Sequence, residues 1–251
     1  MKHGDFTELA KFYNDRPGYS AVLLDYIKSE LLAHQGKTLV VADVGAGTGK
    51  LTEVLGSLGI TGTAVEPNDA MRAEGMKYMP TWKWQAGTAE VTNLPADTFD
   101  WLLMGSSFHW ADADLASAEF RRVLKPGGVF TAIWNPRDIE SSELHTQIEA
   151  IVRKFVPDLK RVSSGNVITT DIMRTKLSSH FKNIVFMEAS HEEVMTKERY
   201  LNIWRSVNDI RVQAGEANFA RILDEIAAVI APLPEVVVPY KSRAWTAQVV
   251  K

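Results

Sequence analysis

Cysteine is absent from the 251 residues of this chain. Disulfide bonds, thiolate nucleophiles and cysteine-bound metals are therefore excluded. Long apolar runs are missing as well, because the most apolar late stretch, residues 226–238, is interrupted by Pro232 and Pro234 and is too short to span a bilayer. The first residues also lack the apolar core of a secretory signal, so we expect a cytoplasmic protein.

Neither sign of charge dominates. The chain has 28 Lys and Arg against 31 Asp and Glu, which gives a formal net charge of −3. This balance provides no overall attraction to nucleic acid or to an anionic membrane, so we predict neither partner. His145, His180 and His191 show no metal-ligand spacing with each other, and we predict no metal site. The length suits one α/β domain, and we expect a single domain over residues 1–251.

A glycine-rich turn follows the first apolar segment. Residues 39–44 predict a buried strand, and residues 51–58 carry apolar side chains at helical spacing. Between them lie three glycines at alternate positions, Gly45, Gly47 and Gly49. Glycine lets a backbone approach a ligand closely, and the N-terminus of a helix offers free N–H groups. The pattern therefore indicates a nucleotide-type site, and a tight turn without a ligand is the alternative.

Strands alternate with helices through the first half of the chain. We predict strands at about 38–44, 61–66, 82–86, 99–104 and 129–134, with a turn at 125–128 before the last. Such alternation predicts βαβ units and a parallel sheet. After residue 135 the pattern changes to helices at 139–156, 169–181, 197–208 and 217–231, a strand at 183–194 and a terminal hairpin of 236–238 with 244–250.

Acidic residues flank the predicted turn. Asp43 comes just before the glycines, and Glu66 ends the second strand. An acid at the end of the second strand can accept hydrogen bonds from ribose hydroxyls, although a solvated strand-end acid is the simpler interpretation. An acid beside a pyrophosphate would repel it, whereas an acid beside a cationic ligand is favourable. The order D-x-G-x-G-x-G therefore argues against a dinucleotide, and a nicotinamide oxidoreductase is a distant alternative.

Four segments in order carry a family resemblance. They are residues 41–49, residues 64–67, the stretch from Gly87 to Asp100, and residues 122–128. Over about residues 38–135 the chain resembles a class I S-adenosylmethionine-dependent methyltransferase. Further short matches at residues 16–19, 108–110 and 133–137 are similar to the small-molecule branch that includes trans-aconitate methyltransferase. The tetrapeptide after strand four is Gly105-Ser-Ser-Phe108, unlike the Asn-Pro-Pro-Tyr type of amino-methylating nucleic-acid enzymes.

The resemblance implies a Rossmann-like α/β fold with a seven-stranded, mostly parallel sheet whose last strand is antiparallel. Residues 38–135 would form the cofactor-binding core, and residues 139–181 and 196–231 would be helical additions over the substrate side. The cofactor would be S-adenosyl-L-methionine, with the glycines around its methionine part and Glu66 on its ribose. The implied cofactor-binding residues are Asp43, Gly45, Ala46, Gly47, Gly49, Glu66, Pro67, Met71, Thr88, Ala89, Glu90, Ser106, Tyr13 and Arg16. For Tyr13 and Arg16, an aromatic cluster at the start of a helix is the alternative.

On the substrate side, His109 is the best candidate for a catalytic base, because its ordinary pKa of about 6.5 suits neutral pH. A carboxylate nucleophile would need no base, whereas a phenol or alcohol would benefit from one. His109 as a structural or shape-determining residue is the alternative. Arg137 can pair with a substrate carboxylate or lie on the surface. The predicted substrate-binding residues are Tyr19, His109, Trp110, Trp134, Arg137 and Trp204, and core packing is the alternative for the tryptophans.

We therefore predict a methyltransferase of a small molecule, acting at a carboxylate or hydroxyl oxygen by in-line displacement. An RNA or protein methyltransferase is the main alternative among enzymes. A non-catalytic S-adenosylmethionine-binding protein would keep residues 43–90 but close the pocket beside His109. We expect a monomer or a homodimer.

Overall fold

The structure is a computed structural model that describes residues 15–35, 38–160 and 165–251. Its strands lie in one sheet with the order β3-β2-β1-β4-β5-β7-β6. They are β1 (Val41–Val44), β2 (Gly62–Val65), β3 (Lys83–Gln85), β4 (Phe99–Gly105), β5 (Leu124–Trp134), β6 (Phe181–Met195) and β7 (Val236–Val249). The predicted seven-stranded Rossmann-like sheet is thereby confirmed.

Most of the described helices begin at a residue whose side chain caps them, whereas those that begin at Lys50 and Asn208 do not. Asn68, Asp112, Ser142, Thr169 and Thr196 each accept a hydrogen bond from a backbone N–H of the first turn that follows them. The helices are α1 (Ala21–Gln35), α2 (Lys50–Ser57), α3 (Asp69–Tyr78), α4 (Ala113–Val123), α5 (Glu143–Phe155), α6 (Thr170–Leu177), α7 (Lys197–Arg205) and α8 (Asn208–Ile230). Short 3-10 segments cover Phe108–Trp110, Ile139–Ser141 and Gly165–Val167.

The sheet topology creates a switch point at β1. Its two neighbours, β2 and β4, are both parallel to it, and the chain leaves β1 toward β2 before returning to β4 on the other side. The carboxyl ends of β1, β2, β4 and β5 therefore share one edge, where ligands of such sheets bind. β7 runs antiparallel to β5, with Ala132 opposite Trp245, and β6 runs antiparallel to β7.

The predicted terminal hairpin is wrong, because residues 236–249 form one strand. β7 pairs with β6 from Val236 opposite Met195 to Val249 opposite Phe181. Burial alternates through the supposed turn, so that Tyr240 and Ser242 continue the inward face. Pro239 and the charged residues around it suggested a turn. The burial of side chains nevertheless alternates with a period of two, which is typical of a strand.

Two other boundaries differ from prediction. The turn expected at residues 125–128 is part of β5, where the pairing with β4 jumps from Phe99–Leu124 to Trp101–Val129 and leaves a bulge. The last long helix begins at Asn208, not near residue 217, and breaks at Gly215, whose φ of 74° is not helical. Residues 208–214 are therefore a helical piece that the sequence pattern did not reveal.

Three apolar clusters hold the molecule together. One packs around Phe130 and Trp245, and a second packs around Leu55 and Trp101. The third cluster joins α5, α7 and α8 to the first residues of β7. An isolated bridge between Arg137 and Tyr240 shows that the third cluster adjoins the segment that leaves β5. The helices that follow β5 thus lie beside its carboxyl end.

Candidate functional site

The glycine turn joins β1 to α2 in a shape that requires glycine. Gly45, Gly47 and Gly49 have φ values of 68°, 58° and 93°, a region that side chains disfavour. A Cβ atom at Gly45 would also lie 2.8 Å from the hydroxyl oxygen of Ser107. The backbone N–H groups of Gly45 and Ala46 donate to the carbonyl of Val65 at 2.8 and 3.1 Å, which ties the turn to the end of β2.

Glu66 lies against this turn. Its Oε2 accepts from the backbone N–H of Gly47 at 2.8 Å, and its Oε1 accepts from that of Asn68 at 2.9 Å. Burial raises the pKa of Glu66, while these two hydrogen bonds and Arg72 lower it in part. Met71 packs close by, with its Cε 3.6 Å from where a Cβ of Gly47 would be. The structure therefore brings Glu66 and Met71 together with the glycines, whereas Pro67 is exposed and its predicted role stays a prediction.

Asp43 is fully buried beneath the turn and is only half satisfied. Its Oδ2 accepts from the hydroxyl of Thr52 at 2.6 Å, but its Oδ1 has no hydrogen-bond partner. Burial raises the pKa of Asp43 to about 7, Thr52 opposes this rise, and the nearby Glu66 carboxylate adds to it. A buried, unpartnered carboxylate oxygen is costly, and a positively charged ligand group would offset that cost.

The loop after β3 places its residues near the start of α4. Thr88 closes a turn with Val91, and Ala89 is buried. Glu90 accepts from the backbone N–H of Asp112 at 2.9 Å. These contacts fix the loop, and the predicted adenine role of Thr88, Ala89 and Glu90 stays a prediction.

Tyr19 crosses the end of β4. Its hydroxyl donates to Oγ of Ser106 at 3.0 Å. Ser106 has a φ of 50°, which is uncommon for a residue with a side chain and is typical of functional turns. A Cβ at Gly105 would lie 2.7 Å from the Tyr19 hydroxyl, so the ring needs a glycine at that position. Tyr19 and Ser106 thus meet at the sheet edge where the predicted site lies.

Arg16 faces the helical additions. Its guanidinium donates to the hydroxyl and the carbonyl oxygen of Ser206, both at 2.9 Å. The carbonyl oxygen of Asp15 accepts from Arg199 at 3.0 Å, and its carboxylate accepts from Asn202 at 2.9 Å. The segment before α1 is therefore attached to α7. Tyr13, the predicted companion of Arg16, lies outside the described residues.

His109 contacts two tryptophans just beyond β4. The indole N–H of Trp134, at the end of β5, donates to Nδ1 of His109 at 3.3 Å, and Trp110 packs against the imidazole with ring centres 4.6 Å apart and a tilt of 45° between the rings. Nε2 of His109 is buried without a hydrogen-bond partner. Burial and the nearby Lys176 lower the pKa of His109 to about 4. Trp134 is buried and Trp110 is exposed, so the two rings contribute differently to the site.

Arg137 lies among aromatic rings. The centre of its guanidinium is 4.3 Å from the ring centre of Trp204 and 5.8 Å from that of Tyr200, both on α7. His145 on α5 packs edge-on against Tyr200, with ring centres 5.9 Å apart. The structure therefore brings Arg137 into contact with Trp204, and the predicted role of both residues toward a substrate stays a prediction.

Sequence reasoning missed three members of this group, Tyr200, Tyr240 and His145. One signal was available, since Tyr200 and Trp204 are four residues apart and must share a face of α7. Tyr240 and His145 gave no local signal, because only the packing of β7 and α5 brings them to Arg137. Among the described residues, no cluster of three metal-ligating side chains occurs, and no helix has the length and apolarity to cross a membrane.

Comparisons with known proteins agree with this geometry. Residues 42–132 match the sequence profile of a family described as a methyltransferase domain. An uncharacterized methyltransferase of Mycobacterium tuberculosis is 33% identical over 155 residues, which make up 62% of this chain and 61% of that protein. An uncharacterized methyltransferase of Schizosaccharomyces pombe is 26% identical over 225 residues, 89% of this chain and 87% of that protein. The match to the mycobacterial protein thus spans 61% of its length.

Solved structures show the same fold. A candidate type II methyltransferase from Anaeromyxobacter dehalogenans superposes with a TM-score of 0.63 at 21% identity, covering 93% of this chain and 97% of that one. A candidate methyltransferase from an antibiotic biosynthesis pathway of Anabaena variabilis gives 0.52 at 17% identity, covering 87% and 96%. Residues 42–132 are therefore similar to a methyltransferase domain, and the chain has the Rossmann-like methyltransferase fold.

Proposed function

We propose that this chain is an S-adenosylmethionine-dependent methyltransferase that methylates a carboxylate oxygen of a small molecule. The observation that supports this most is the pairing of two buried acids at the glycine turn. Asp43 lies beneath the turn with an unpartnered oxygen, and Glu66 lies against it. These two acceptors suit a ligand that brings positive charge and ribose hydroxyls, and they disfavour a pyrophosphate.

The residues of the site fit S-adenosylmethionine. Asp43 would balance the positive charge of the methionine part, the backbone of Gly45 to Gly49 would surround it, and Glu66 would accept from the ribose. When bound, the cofactor supplies a methyl group on a sulfonium, which an incoming nucleophile can displace. Tyr19 and Ser106, joined at 3.0 Å, would close the site at the end of β4. The chain then needs to hold the acceptor in line and to exclude water.

The state of His109 favours a carboxylate over a hydroxyl as the acceptor. An indole N–H is only a donor, so Nδ1 of His109 must present its lone pair to Trp134. With its pKa lowered to about 4, the ring is neutral at pH 7 and carries its single proton on Nε2. Nε2 can then donate a hydrogen bond but cannot take a proton. A hydroxyl would need a base at that position, whereas a carboxylate is already charged and needs only a donor to orient it.

A test should separate this proposal from its alternatives. The purified protein is titrated calorimetrically with S-adenosylmethionine, S-adenosylhomocysteine and NADH. Binding of the first two without NADH supports the cofactor assignment, and the reverse pattern would favour an oxidoreductase. If a folded protein that has been freed of bound ligand does not bind S-adenosylmethionine, the proposal is contradicted. This experiment also addresses a non-catalytic binding protein, since that alternative predicts affinity for the cofactor without turnover on any acid.

The methylated atom has its own assay. A panel of small carboxylic acids is incubated with methyl-labelled S-adenosylmethionine, and the product is treated with mild alkali. Methyl esters release volatile methanol under these conditions, whereas methyl ethers and methylamines do not. Alkali-stable label on a small molecule would contradict the carboxylate assignment, and label on RNA or protein would favour those substrates. The narrower likeness to the trans-aconitate branch supports beginning with di- and tricarboxylic acids.

A further inference from the structure

A second polar cluster lies under the helical additions, apart from the glycine turn. It consists of Arg137, His145, Tyr200, Trp204 and Tyr240, which we name the arginine cluster. All of its members except Arg137 are buried, with Tyr200 fully so. They come from the segment after β5, from α5 and α7, and from the middle of β7. Four distant parts of the chain therefore converge on one guanidinium.

The arginine cluster contains buried polar atoms whose hydrogen bonding is incomplete. Among the described residues, four buried polar atoms make no hydrogen bond of good geometry: Nε2 of His145, the hydroxyls of Tyr200 and Tyr240, and Nε1 of Trp204. The Tyr240 hydroxyl lies beside the guanidinium of Arg137 and the Tyr200 hydroxyl beside the indole N–H of Trp204, and both of these neighbours can only donate. Burial raises the pKa of both tyrosines, with Arg137 lowering it in part, so both phenols carry their protons at neutral pH. Buried donors are nearly always paired in folded proteins, and each unpaired one is costly. Because several unpaired polar atoms lie together here, one bound acceptor could pair with more than one of them.

In addition, none of the ion pairs among the described residues involves Arg137. In the described part of the chain no carboxylate lies within ion-pair distance of its guanidinium, which contacts aromatic faces instead. Glu149 acts on it electrostatically, but that side chain pairs with Arg153 at 3.4 Å. A charge that is largely shielded from water normally has a close counter-charge, and here no described carboxylate lies within ion-pair distance. Arg137 itself is only partly buried, which leaves an approach for a ligand.

We infer that the arginine cluster binds a carboxylate of the substrate that is not the one methylated. A guanidinium offers parallel N–H donors that match the two oxygens of a carboxylate, and the phenol and indole groups can donate to the remaining lone pairs. The substrate would then carry at least two acidic groups, one held by the arginine cluster and one presented beside His109. This role as a substrate anchor rests on the proposed function, whereas binding of the anion does not.

Binding is tested with probes of defined charge. Glutarate and isophthalate are titrated into the wild-type protein by calorimetry at constant ionic strength, with and without S-adenosylhomocysteine, and glutaramide serves as the uncharged analogue of glutarate. Saturable binding of a dicarboxylate, with none of glutaramide, is expected. Inorganic phosphate is run alongside, and tighter binding of phosphate than of either dicarboxylate would overturn the choice of a carboxylate. Absence of binding by both dicarboxylates would overturn the site itself.

Variants then locate the binding. Arg137→Gln should weaken dicarboxylate binding by roughly 10-fold to 100-fold, the usual cost of losing hydrogen bonds to a charged group, while Arg137→Lys should retain part of it. Unchanged affinity in Arg137→Gln would overturn the inference. Affinity for S-adenosylhomocysteine is measured on the same samples and should not change. Absence of that affinity in the wild type would instead contradict the proposed function, so the two failures are distinguishable.

A tyrosine pair gives a matched control that does not depend on Arg137. Tyr200→Phe removes a hydroxyl that lies beside the indole of Trp204 and donates to no described acceptor, so it should weaken dicarboxylate binding severalfold with little change in the melting temperature of the free protein. Tyr78→Phe removes a hydroxyl that donates to Glu53 at 2.6 Å and accepts from Lys50 at 3.1 Å. It should lower the melting temperature and leave dicarboxylate binding unchanged. A destabilised Tyr200→Phe with normal binding would mean that the hydroxyl is structural, and would overturn its assignment to the site.

Discussion

The indole N–H of Trp134 donates to Nδ1 of His109 across 3.3 Å, from the end of β5 to the 3-10 segment that follows β4. This contact links two neighbouring strands at the edge of the sheet where ligands bind. It also decides which imidazole nitrogen carries the proton, because an indole can only donate. The chemistry available at His109 therefore depends on a residue 25 positions away in the sequence.

Replacing Trp134 by Phe should release the imidazole from its fixed tautomer. The aromatic ring stays in the core, but Nδ1 loses its donor, and both neutral tautomers become accessible. We expect turnover to fall by about tenfold, the effect of one lost hydrogen bond, with little change in cofactor affinity. Nitrogen NMR of the imidazole measures the tautomer directly. Trp101→Phe is the control, since its indole donates to Thr131 at 2.9 Å and should not affect His109.

Two substitutions of His109 should separate donor from base. His109→Gln keeps an N–H donor near the position of Nε2 but cannot act as a base, whereas His109→Ala removes both. If His109 orients a carboxylate, the Gln variant keeps substantially more activity than the Ala variant. Equal loss in both variants would favour a base. Turnover is measured beside calorimetric affinity for S-adenosylhomocysteine, which should be normal in both.

The cofactor half of the molecule was predictable because its signals are local. Apolar runs predicted the strands from residues 39 to 134. The three glycines predicted the turn, and its positive φ values require glycine. The position of Glu66 beside Gly47 follows from the ends of two adjacent parallel strands. The predicted roles of these residues toward a cofactor stay predictions.

The substrate half was less predictable because its signals are tertiary. The hairpin prediction failed at Pro239 to Arg243, where polar residues continue a buried strand because β6 pairs along its whole length. Tyr240 reaches Arg137 only through that strand. The lowered pKa of His109 likewise depends on burial and on Lys176, which α6 brings from 67 positions further along the chain.

Replacing Glu66 should weaken binding of the cofactor. Glu66→Ala removes both carboxylate oxygens at the glycine turn, and we expect a loss of roughly 10-fold to 100-fold in affinity for S-adenosylhomocysteine by calorimetry. Glu66→Gln keeps one acceptor and should lie between the Ala variant and the wild type. Glu74→Ala is the control, because that acid pairs only with Lys77 on the outer side of α3 in the described contacts. Unchanged affinity in Glu66→Ala would contradict the ribose assignment.

Asp43 should make the stability of the free protein depend on pH. Its pKa rises from the ordinary value of 3.8 to about 7 in the folded chain, so the folded state holds a proton that the unfolded chain has already released. The contribution of Asp43 to stability is therefore fully present below about pH 4 and is lost as pH rises through about 7. Its full size is on the order of 4 kcal/mol, since each pKa unit corresponds to about 1.4 kcal/mol.

A cationic cofactor should reverse this loss. Positive charge near Asp43 stabilises the ionised carboxylate and lowers its pKa, so binding of S-adenosylmethionine near pH 7 should release a proton. Calorimetry in two buffers of different ionisation enthalpy measures that proton, and the rise in melting temperature on binding should be larger at about pH 8 than at about pH 6. Asp43→Asn, which keeps an acceptor for Thr52 but no charge, should show neither effect. Asp25→Asn, an exposed acid on α1, should behave as the wild type. Proton release that persists in Asp43→Asn would mean that another group senses the cofactor, and the assignment of Asp43 to its charged end would be wrong.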